Sequence, residues 1–336
     1  MAPNYQADRI HKEAFVVCVG FFLGLAVLGV VARFAMWLGT SPRRQRTPFQ
    51  DQLWLLLVAL LLVLASCVML FCKVVNPLYM VAGLQAGVAR LDAPTREIDV
   101  VKMAEDCHKW VIISLMMSWC SKCAVNFFFL AFFRRLIDRL RVWQAYWWIP
   151  FTANVVLLTF GITVYYVSCP FWGVNARKLR LLPSWTTRGV LTAIRVQCAT
   201  GKYMSNLVRF SAAQIALDIL VDLLILAIPI ALILRIRMDP LQKVALSTSL
   251  CLTILLVLLS VVRVAGLKRN GQVDTIWETF WQTMSAESGV CLAAFSGFRV
   301  FFMPRRQKTA YISPDGNRSD TSSQGMEIAS TRVRPI

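Results

Sequence analysis

Seven apolar stretches, each long enough to cross a lipid bilayer as a helix, make up most of this chain. They are residues 14–37, 53–75, 110–133, 146–168, 206–234, 244–265 and 275–302. A hydrocarbon core about 30 Å thick needs about 20 apolar residues per helix. No stretch alternates polar and apolar residues with a period of two, which disfavours a transmembrane barrel. The sequence therefore predicts an all-α membrane protein built as a seven-transmembrane-helix bundle.

Composition agrees with a chain that lies mostly in lipid. Of its 336 residues, 57% are hydrophobic and 16% charged, whereas a soluble domain carries about a quarter charged residues. The first stretch lacks a small-residue cleavage site at a suitable distance, so it is expected to stay as a helix rather than act as a signal peptide. We expect a short extracellular segment at 1–13, one helical domain at 14–302, and a disordered polar cytoplasmic tail at 303–336.

The net charge of +18 is expected to serve the membrane rather than nucleic acid. Basic residues near membrane helices orient them and attract anionic lipid. The short segments 38–52, 134–145, 235–243 and 303–308 together hold 13 Lys and Arg. Because this density exceeds that of the other connecting segments, the sequence predicts the N-terminus outside and the C-terminus inside. The chain is thus expected to be a multi-pass protein of the plasma membrane or an endomembrane.

Several ionisable side chains lie inside the predicted spans. An ionised group at a helix centre in hydrocarbon costs about 2.5 kcal/mol or more, so each is a site hypothesis by default. One basic and three acidic groups on three spans fall at similar depth, and a polar stripe with a period of four surrounds the basic one. This midplane polar site consists of Lys122, Asn126, Asp218, Asp222 and Glu287.

Two interpretations of the midplane charges stay open. In the first, Lys122 pairs with Asp222 or Glu287 and only holds the bundle together, although desolvation can cancel the attraction of a buried pair. In the second, the charges form a switch or a cation or proton site. The excess of two acids favours the second, because uncompensated carboxylates must bind protons or attract a cation.

The sequence offers no basis for catalysis or for a resident cofactor. His11 and His108 are the only histidines, and both lie outside the predicted spans, so helical histidine pairs for haem, di-iron or zinc are not expected. No nucleophile–base pair or metal cluster is visible. The last span contains no lysine, so a retinal Schiff base cannot form there. We therefore expect a protein that is not an enzyme and has neither catalytic residues nor a metal.

The long segment after the fourth span carries two cysteines, Cys169 and Cys198. With the N-terminus outside, this segment faces an oxidising compartment, so a disulfide is chemically allowed there. Cys107, just before the third span, is a competing partner for either cysteine.

A set of motifs in a fixed order resembles a known family. The set comprises Lys122 with Arg134-Arg135, Cys169-Pro-Phe-Trp172, Cys198, Asp222 to Pro229, Gln242-Lys243, Arg263 and Asp274-Thr-Ile-Trp277. Over residues 15–302 these motifs resemble the fungal rhodopsin-like integral membrane proteins, which include satratoxin-cluster membrane proteins. The resemblance implies a seven-helix fold like that of G-protein-coupled receptors in a fungal membrane, mostly with unassigned activity.

The resemblance also carries expectations for individual residues. It implies that Cys169 pairs with Cys198 rather than with Cys107. It matches Lys243, Arg263 and Asp274, as well as Lys122 and Asp222, to recurrent polar residues of the family. The chain departs from the family pattern in three places: it keeps a single Asp51 where paired aspartates open the second span, it has Asp218 where Asn is usual, and it has Ser296 where proline is common.

The expected function is that of a receptor-like or accessory membrane protein without retinal, including an accessory role in secondary metabolism. Its partners would be the bilayer and a small-molecule ligand. Phe133-Arg-Arg-Leu136 stands where receptors usually carry an acidic-Arg-Tyr motif, so the sequence assigns no G protein. The alternative is a transporter of an ion or small metabolite that uses Lys122, Asp218, Asp222 and Glu287 as its path.

The tail offers a test of the predicted orientation. Asn317-Arg-Ser319 is the only Asn-x-Ser/Thr site in the chain. Because glycosylation at such sites takes place on the outer side of the membrane, we expect Asn317 to stay unmodified in the native protein. Mass measurement before and after glycosidase treatment checks this, and a glycosidase-sensitive mass on Asn317 would reverse the orientation.

Overall fold

The computed structural model describes eight ranges of the chain: 9–39, 47–85, 97–137, 141–167, 201–235, 240–266, 268–269 and 272–302. Within them the chain forms seven helical segments and one pair of two-residue strands. The helices are α1 (Lys12–Gly39), α2 (Thr47–Met69) continued by α3 (Val75–Gln85), α4 (Glu97–Ile137), α5 (Arg141–Val167), α6 (Gly201–Arg235), α7 (Pro240–Gly266) and α8 (Thr275–Phe302). Strands β1 (Lys268–Arg269) and β2 (Gln272–Val273) pair antiparallel between α7 and α8.

Five helices in the described part of the chain are long and apolar enough to cross a membrane. Their apolar portions are Lys12–Gly39, Gln52–Gly83, Asp106–Arg134, Trp143–Val164 and Arg209–Ala231. A shorter apolar portion, Thr253–Gly266, lies in α7. The prediction of a helical membrane protein is confirmed at this level.

Helix α8 begins and ends where the sequence predicts a span. It is the most polar of the predicted spans, and its neighbours enclose it. It packs against α1, α2, α4 and α7. From Ala286 to Ala294 every side chain is buried, and the next large apolar side chain, Phe295, is exposed. A helix surrounded by protein does not need an apolar surface toward lipid, which explains why α8 carries so many polar residues.

The second predicted span, 53–75, is too short, because the helix continues to Gln85. Residues Leu70–Val74 form a π-helical turn in which the Val75 amide donates to the Leu70 carbonyl. This turn directly precedes Pro77, which has no N–H for the normal helical hydrogen bond. A π turn is a recognised way to absorb such a break, so Pro77 lies inside a continuous helix.

The third predicted span, 110–133, is also too short. Helix α4 has 41 residues and is about 60 Å long at 1.5 Å per residue, roughly twice the thickness of a hydrocarbon core. Charged residues before position 110 ended the apolar stretch, but no Gly or Pro occurs between Glu97 and Ile137, so nothing stops the helix. His108 therefore lies within α4 and its apolar portion, contrary to the expectation that it lies outside a span.

Pairs of side-chain contacts fix the direction of four helices relative to α4. Lys122 contacts Asp218, and Asn126 contacts Asp222, so α4 and α6 advance together and are parallel. Against α2 the order is reversed. Ser114 contacts Ser66, whereas the later Ser121 contacts the carbonyl of the earlier Ala59. Helices α2 and α4 are therefore antiparallel.

Two further pairs orient α7 and α8. Ser260 of α7 contacts Lys122, and the later Arg263 lies over the ring of the earlier Trp119, so α7 is antiparallel to α4. Gly289 of α8 faces Val125. One turn further along, Arg33 of α1 donates to the Ala293 carbonyl and lies over the ring of Phe128. Helices α4 and α8 are therefore parallel.

Three predictions fall outside the described residues. They are the disulfide between Cys169 and Cys198, the extracellular segment at 1–13 apart from its last five residues, and the cytoplasmic tail at 303–336. Cys107 is a free thiol at the buried contact of α4 with the π turn, with its sulfur 3.9 Å from the Val74 carbonyl oxygen.

The contact of α4 with α5 depends on a glycine. A Cβ atom placed on Gly161 would overlap the indole of Trp119, which is fully buried. We therefore expect Gly161→Ala to destabilise the protein by about 1–3 kcal/mol, because overpacking forces a large side chain to move. The midpoint of thermal unfolding in detergent measures this.

Gly20→Ala is the matched control, since a Cβ at Gly20 of α1 meets nothing within 4 Å. In that open helical position alanine is expected to be neutral or to stabilise by up to about 1 kcal/mol. Equal effects at the two glycines would contradict the packing of Trp119 against α5.

Candidate functional site

A buried cluster of charges joins α4, α6 and α7. Lys122 of α4 forms an ion pair with Oδ2 of Asp218 on α6. Its Nζ also lies 3.5 Å from Oδ2 of Asp222 and donates to the hydroxyl of Ser260 on α7 at 3.1 Å. The Ser260 hydroxyl in turn donates to Asp218 Oδ2 at 3.2 Å. All four residues are at most 3% exposed.

Helical spacing explains why these residues meet. Asp218 and Asp222 are four residues apart, so they share one face of α6. Lys122 and Asn126 have the same spacing on α4, and the two parallel helices align the pairs in two layers. In the second layer Asn126 Nδ2 donates to Asp222 Oδ1 at 3.4 Å and lies 3.5 Å from Oδ1 of Asn154 on α5.

Sequence reasoning missed two members of this cluster, Ser260 and Asn154. The Asn154 amide donates to the Cys123 carbonyl at 3.2 Å, which ties α5 to α4. Each is a polar residue inside a predicted span. Both spans contain several other Ser or Thr residues, so no signal in the sequence singled these two out.

The cluster holds one cation and two carboxylates, so it carries a net charge of −1 when all three are ionised. Asp218 Oδ1 has no hydrogen-bond partner among the described residues. Charges out of water need close partners to offset desolvation. Lys122 cannot offset both carboxylates, so the site must hold a proton or attract a second positive charge.

Glu287 lies apart from this cluster. It is fully buried in α8, and its Oε1 accepts from the thiol of Cys67 on α2 at 3.1 Å. Its other oxygen has no hydrogen-bond partner among the described residues. Of the two partners expected for Lys122, the structure brings Asp222 within ion-pair distance, whereas Glu287 and Lys122 form no salt bridge.

The polar stripe of α4 is divided between two neighbours. Ser114 and Ser118 turn toward α2, where their hydroxyls lie 2.9 Å and 2.7 Å from the hydroxyl of Ser66. Lys122 and Asn126 turn toward α6. The slow drift of a four-residue repeat around the helix accounts for this division.

Of the residues matched by the family resemblance, Lys122 and Asp222 lie in the charge cluster, whereas Arg263 and Asp274 make other contacts. The Arg263 guanidinium, buried in α7, lies 3.6 Å from the carboxylate of Glu278 and 6.0 Å from the ring centre of Trp119. Asp274 begins α8, because its Oδ1 accepts from the Trp277 amide at 3.1 Å, an N-cap contact. Lys243 lies in the first turn of α7, and its side chain is outside the described residues.

Asp274 also belongs to a contact between the N-terminal segment and the α7–α8 connection. Arg9 lies 4.0 Å from Asp274 Oδ2, donates to the Gly266 carbonyl at 3.2 Å and lies 4.4 Å from the ring centre of Trp277. The Trp277 indole donates to the Arg263 carbonyl at 3.3 Å. These contacts hold the start of α1 against α7 and α8.

Among the described residues, no three or more His, Cys, Asp or Glu side chains are grouped so as to hold a metal ion. No protein-family model, no curated protein and no solved structure matches this chain.

The charge cluster makes a prediction about stability that depends on its stoichiometry. Lys122→Met would leave two buried carboxylates without a cation and is expected to cost at least about 3–5 kcal/mol. Asp218→Asn leaves Lys122 and Asp222 as a one-to-one pair and is expected to cost clearly less. The double variant should be more stable than the sum of the single effects implies, because one stranded charge is removed. Thermal stability in detergent across the four proteins measures the coupling.

The same cycle with Glu287→Gln in place of Asp218→Asn is the control. Glu287 and Lys122 form no salt bridge, so the coupling should be much smaller. Equal coupling in both cycles would contradict the finding that Glu287 lies apart from the Lys122 cluster.

Proposed function

We propose that this chain is a seven-helix integral membrane protein of the fungal rhodopsin-like kind, with its N-terminus outside and its C-terminus inside. Its role is receptor-like or accessory, it carries no retinal, and its helices rearrange around the Lys122 cluster. The observation that carries the proposal is that one buried lysine lies within ion-pair distance of two carboxylates on a neighbouring helix.

The helix directions support the seven-helix arrangement. In a chain that crosses the membrane with each of seven consecutive helices, the third, fifth and seventh run parallel and the second and sixth run against them. Helices α4, α6 and α8 hold the third, fifth and seventh places and are parallel. Helices α2 and α7 hold the second and sixth places and are antiparallel to α4. This pattern matches the alternation expected for a GPCR-like bundle.

The cluster has the physical properties of a two-state element. Among the described residues, Lys122 is the one cation within ion-pair distance of both Asp218 and Asp222, which are one helical turn apart along α6. If Lys122 moved closer to Asp222 than to Asp218, α4 would move relative to α6 while Lys122 kept an ion pair throughout. Packed helices that move in this way have discrete rather than continuous arrangements, and a ligand that prefers one of them shifts the populations.

Distances between the ends of α4 and α6 test this switch. Spin labels carried on unnatural amino acids at Arg134 and Arg235 would report the separation by pulsed electron spin resonance. Asp218→Asn confines Lys122 to Asp222, and Asp222→Asn confines it to Asp218. We expect the two variants to narrow the wild-type distance distribution toward opposite sides, by up to a few Å, less than one helical turn.

Glu287→Gln is the matched control for this experiment, because it removes a buried carboxylate that does not contact Lys122. It should leave the distribution unchanged. Identical distributions in the wild type and both aspartate variants would mean that the cluster is a static cross-link.

A second candidate is a transporter of an ion or small metabolite, favoured by the carboxylate in excess in the cluster. Purified protein in liposomes with a pH-sensitive dye inside would show proton movement driven by a membrane potential. If this candidate holds, Asp218→Asn abolishes the flux and Gly20→Ala does not. Wild-type liposomes as tight as empty ones would count against proton transport.

A further inference from the structure

Several buried polar atoms next to the Lys122 cluster have no hydrogen-bond partner among the described residues. They are Trp119 Nε1, Gln214 Nε2, Asp218 Oδ1, Gln282 Nε2 and Oε1, and Ser285 Oγ. Each of these residues is at most 2% exposed. A buried polar group without a hydrogen-bond partner destabilises the fold, and native proteins contain few of them. So many in one region indicate that something polar satisfies them.

Helix register places these atoms at one level of the bundle. Because Asp218 lies opposite Lys122 and Asp222 opposite Asn126, Gln214 lies opposite Ser118. Because Gly289 faces Val125 and α4 and α8 are parallel, Gln282 also lies opposite Ser118, and Ser285 lies opposite Ser121. Trp119 is at the same level on α4. This layer spans about one helical turn, from the level of Ser118 to that of Lys122.

The faces of the helices converge as well. Gln214 is four residues before Asp218 and shares the face of α6 that meets Lys122. Gln282 and Ser285 are seven and four residues before Gly289, so they share the face of α8 that meets α4. The Trp119 indole lies between α5 and α7, since it borders Gly161 and lies under Arg263. The unsatisfied groups of α6 and α8 thus lie on the faces that meet α4, whereas Trp119 Nε1 lies against Gly161 of α5.

We propose that this layer binds a small organic cation, a protonated amine that also carries acceptor oxygens. The inference rests on the proposed function, because it names the ligand class on which the switch would act. Two of the unsatisfied atoms on these faces are N–H donors, on Gln214 and Gln282. They require acceptor oxygens and cannot coordinate a metal ion, which excludes a bare metal ion as the natural occupant.

The charges of the surrounding residues favour a cation. Arg263 lies 3.6 Å from Glu278, so this pair carries no net charge. Lys122 offsets only one of Asp218 and Asp222. The remaining negative charge is at the boundary of the layer, where Asp218 Oδ1 is available as an acceptor. In a low-dielectric interior such an unbalanced charge discriminates strongly between ligands of opposite sign.

A cysteine at Ser285 tests both the space and its charge preference. The Ser285→Cys protein in nanodiscs would be treated with the cationic 2-aminoethyl or the anionic 2-sulfonatoethyl methanethiosulfonate reagent. The mass of the peptide that contains position 285 gives the rate of modification. We expect the cationic reagent to react roughly tenfold faster or more, and we expect Asp218→Asn to reduce this ratio. Ethanolamine should slow the cationic reaction, whereas ethylene glycol, its neutral analogue, should not.

Ala294→Cys is the matched control. Ala294 is on the same helix and fully buried, but it packs against Gly29 of α1, so it should not react with either reagent. Gln282→Cys provides a second position in the layer should Ser285→Cys not give a monodisperse protein.

The outcomes separate this inference from the proposed function. No reaction at either layer position, or equal reaction with both reagents as in a chamber that holds only water, overturns the cation site. The distance measurements between α4 and α6 are independent of these reagents. A switch that responds to Asp218→Asn while the layer stays unreactive would leave the proposed function standing and this inference refuted. A reactive layer with unchanged distances between α4 and α6 would refute the switch and leave the cation layer supported.

Discussion

The cost of placing Lys122 in the middle of a membrane bundle is the constraint on which the surrounding structure depends. Its ammonium group is too far from either end of α4 for easy contact with water, so its hydrogen bonds and its charge must be matched inside the protein. Asp218, Asp222 and Ser260 provide that match. Because of this requirement, α6 and α7 both contact α4 at Lys122. In the second layer, Asn126 contacts Asn154 of α5.

The enclosed position of α8 has the same physical cause, the cost of polar groups in lipid. Its Thr, Gln, Ser and Glu side chains would be costly toward lipid, so α8 lies among α1, α2, α4 and α7. There Glu287 contacts the Cys67 thiol, and a Cβ on Gly29 of α1 would lie only 3.1 Å from Ala294 Cβ. Small residues permit such close contacts between membrane helices. The enclosed helix therefore carries unsatisfied polar groups into the bundle interior, away from lipid.

Much of this arrangement is readable from the sequence, and its limits have physical causes. Hydropathy located the helices, and the four-residue spacings placed Lys122 with Asn126 and Asp218 with Asp222 on shared faces. Hydropathy could not give the end of the second span at Gln85, because a π turn absorbs Pro77. Nor could it give the start of α4 at Glu97, because charged residues continue that helix beyond the apolar stretch. Nor could it decide the partner of Lys122. Glu287 has a similar depth, and only the rotation of α8 about its axis, set by packing, turns it toward Cys67.

The cation layer and the charge cluster are linked by competition for Asp218. A positive ligand group beside Asp218 Oδ1 would satisfy part of the charge that Lys122 now offsets at Oδ2, and Lys122 would then gain more from Asp222. Binding would thus favour the arrangement of α4 and α6 in which Lys122 pairs with Asp222. By linkage, any change that favours this arrangement must also raise the affinity for the ligand. An Asn in place of Asp218 would remove both the extra charge and this competition, so the additional carboxylate is what would let a cation, rather than a neutral ligand, act on the switch.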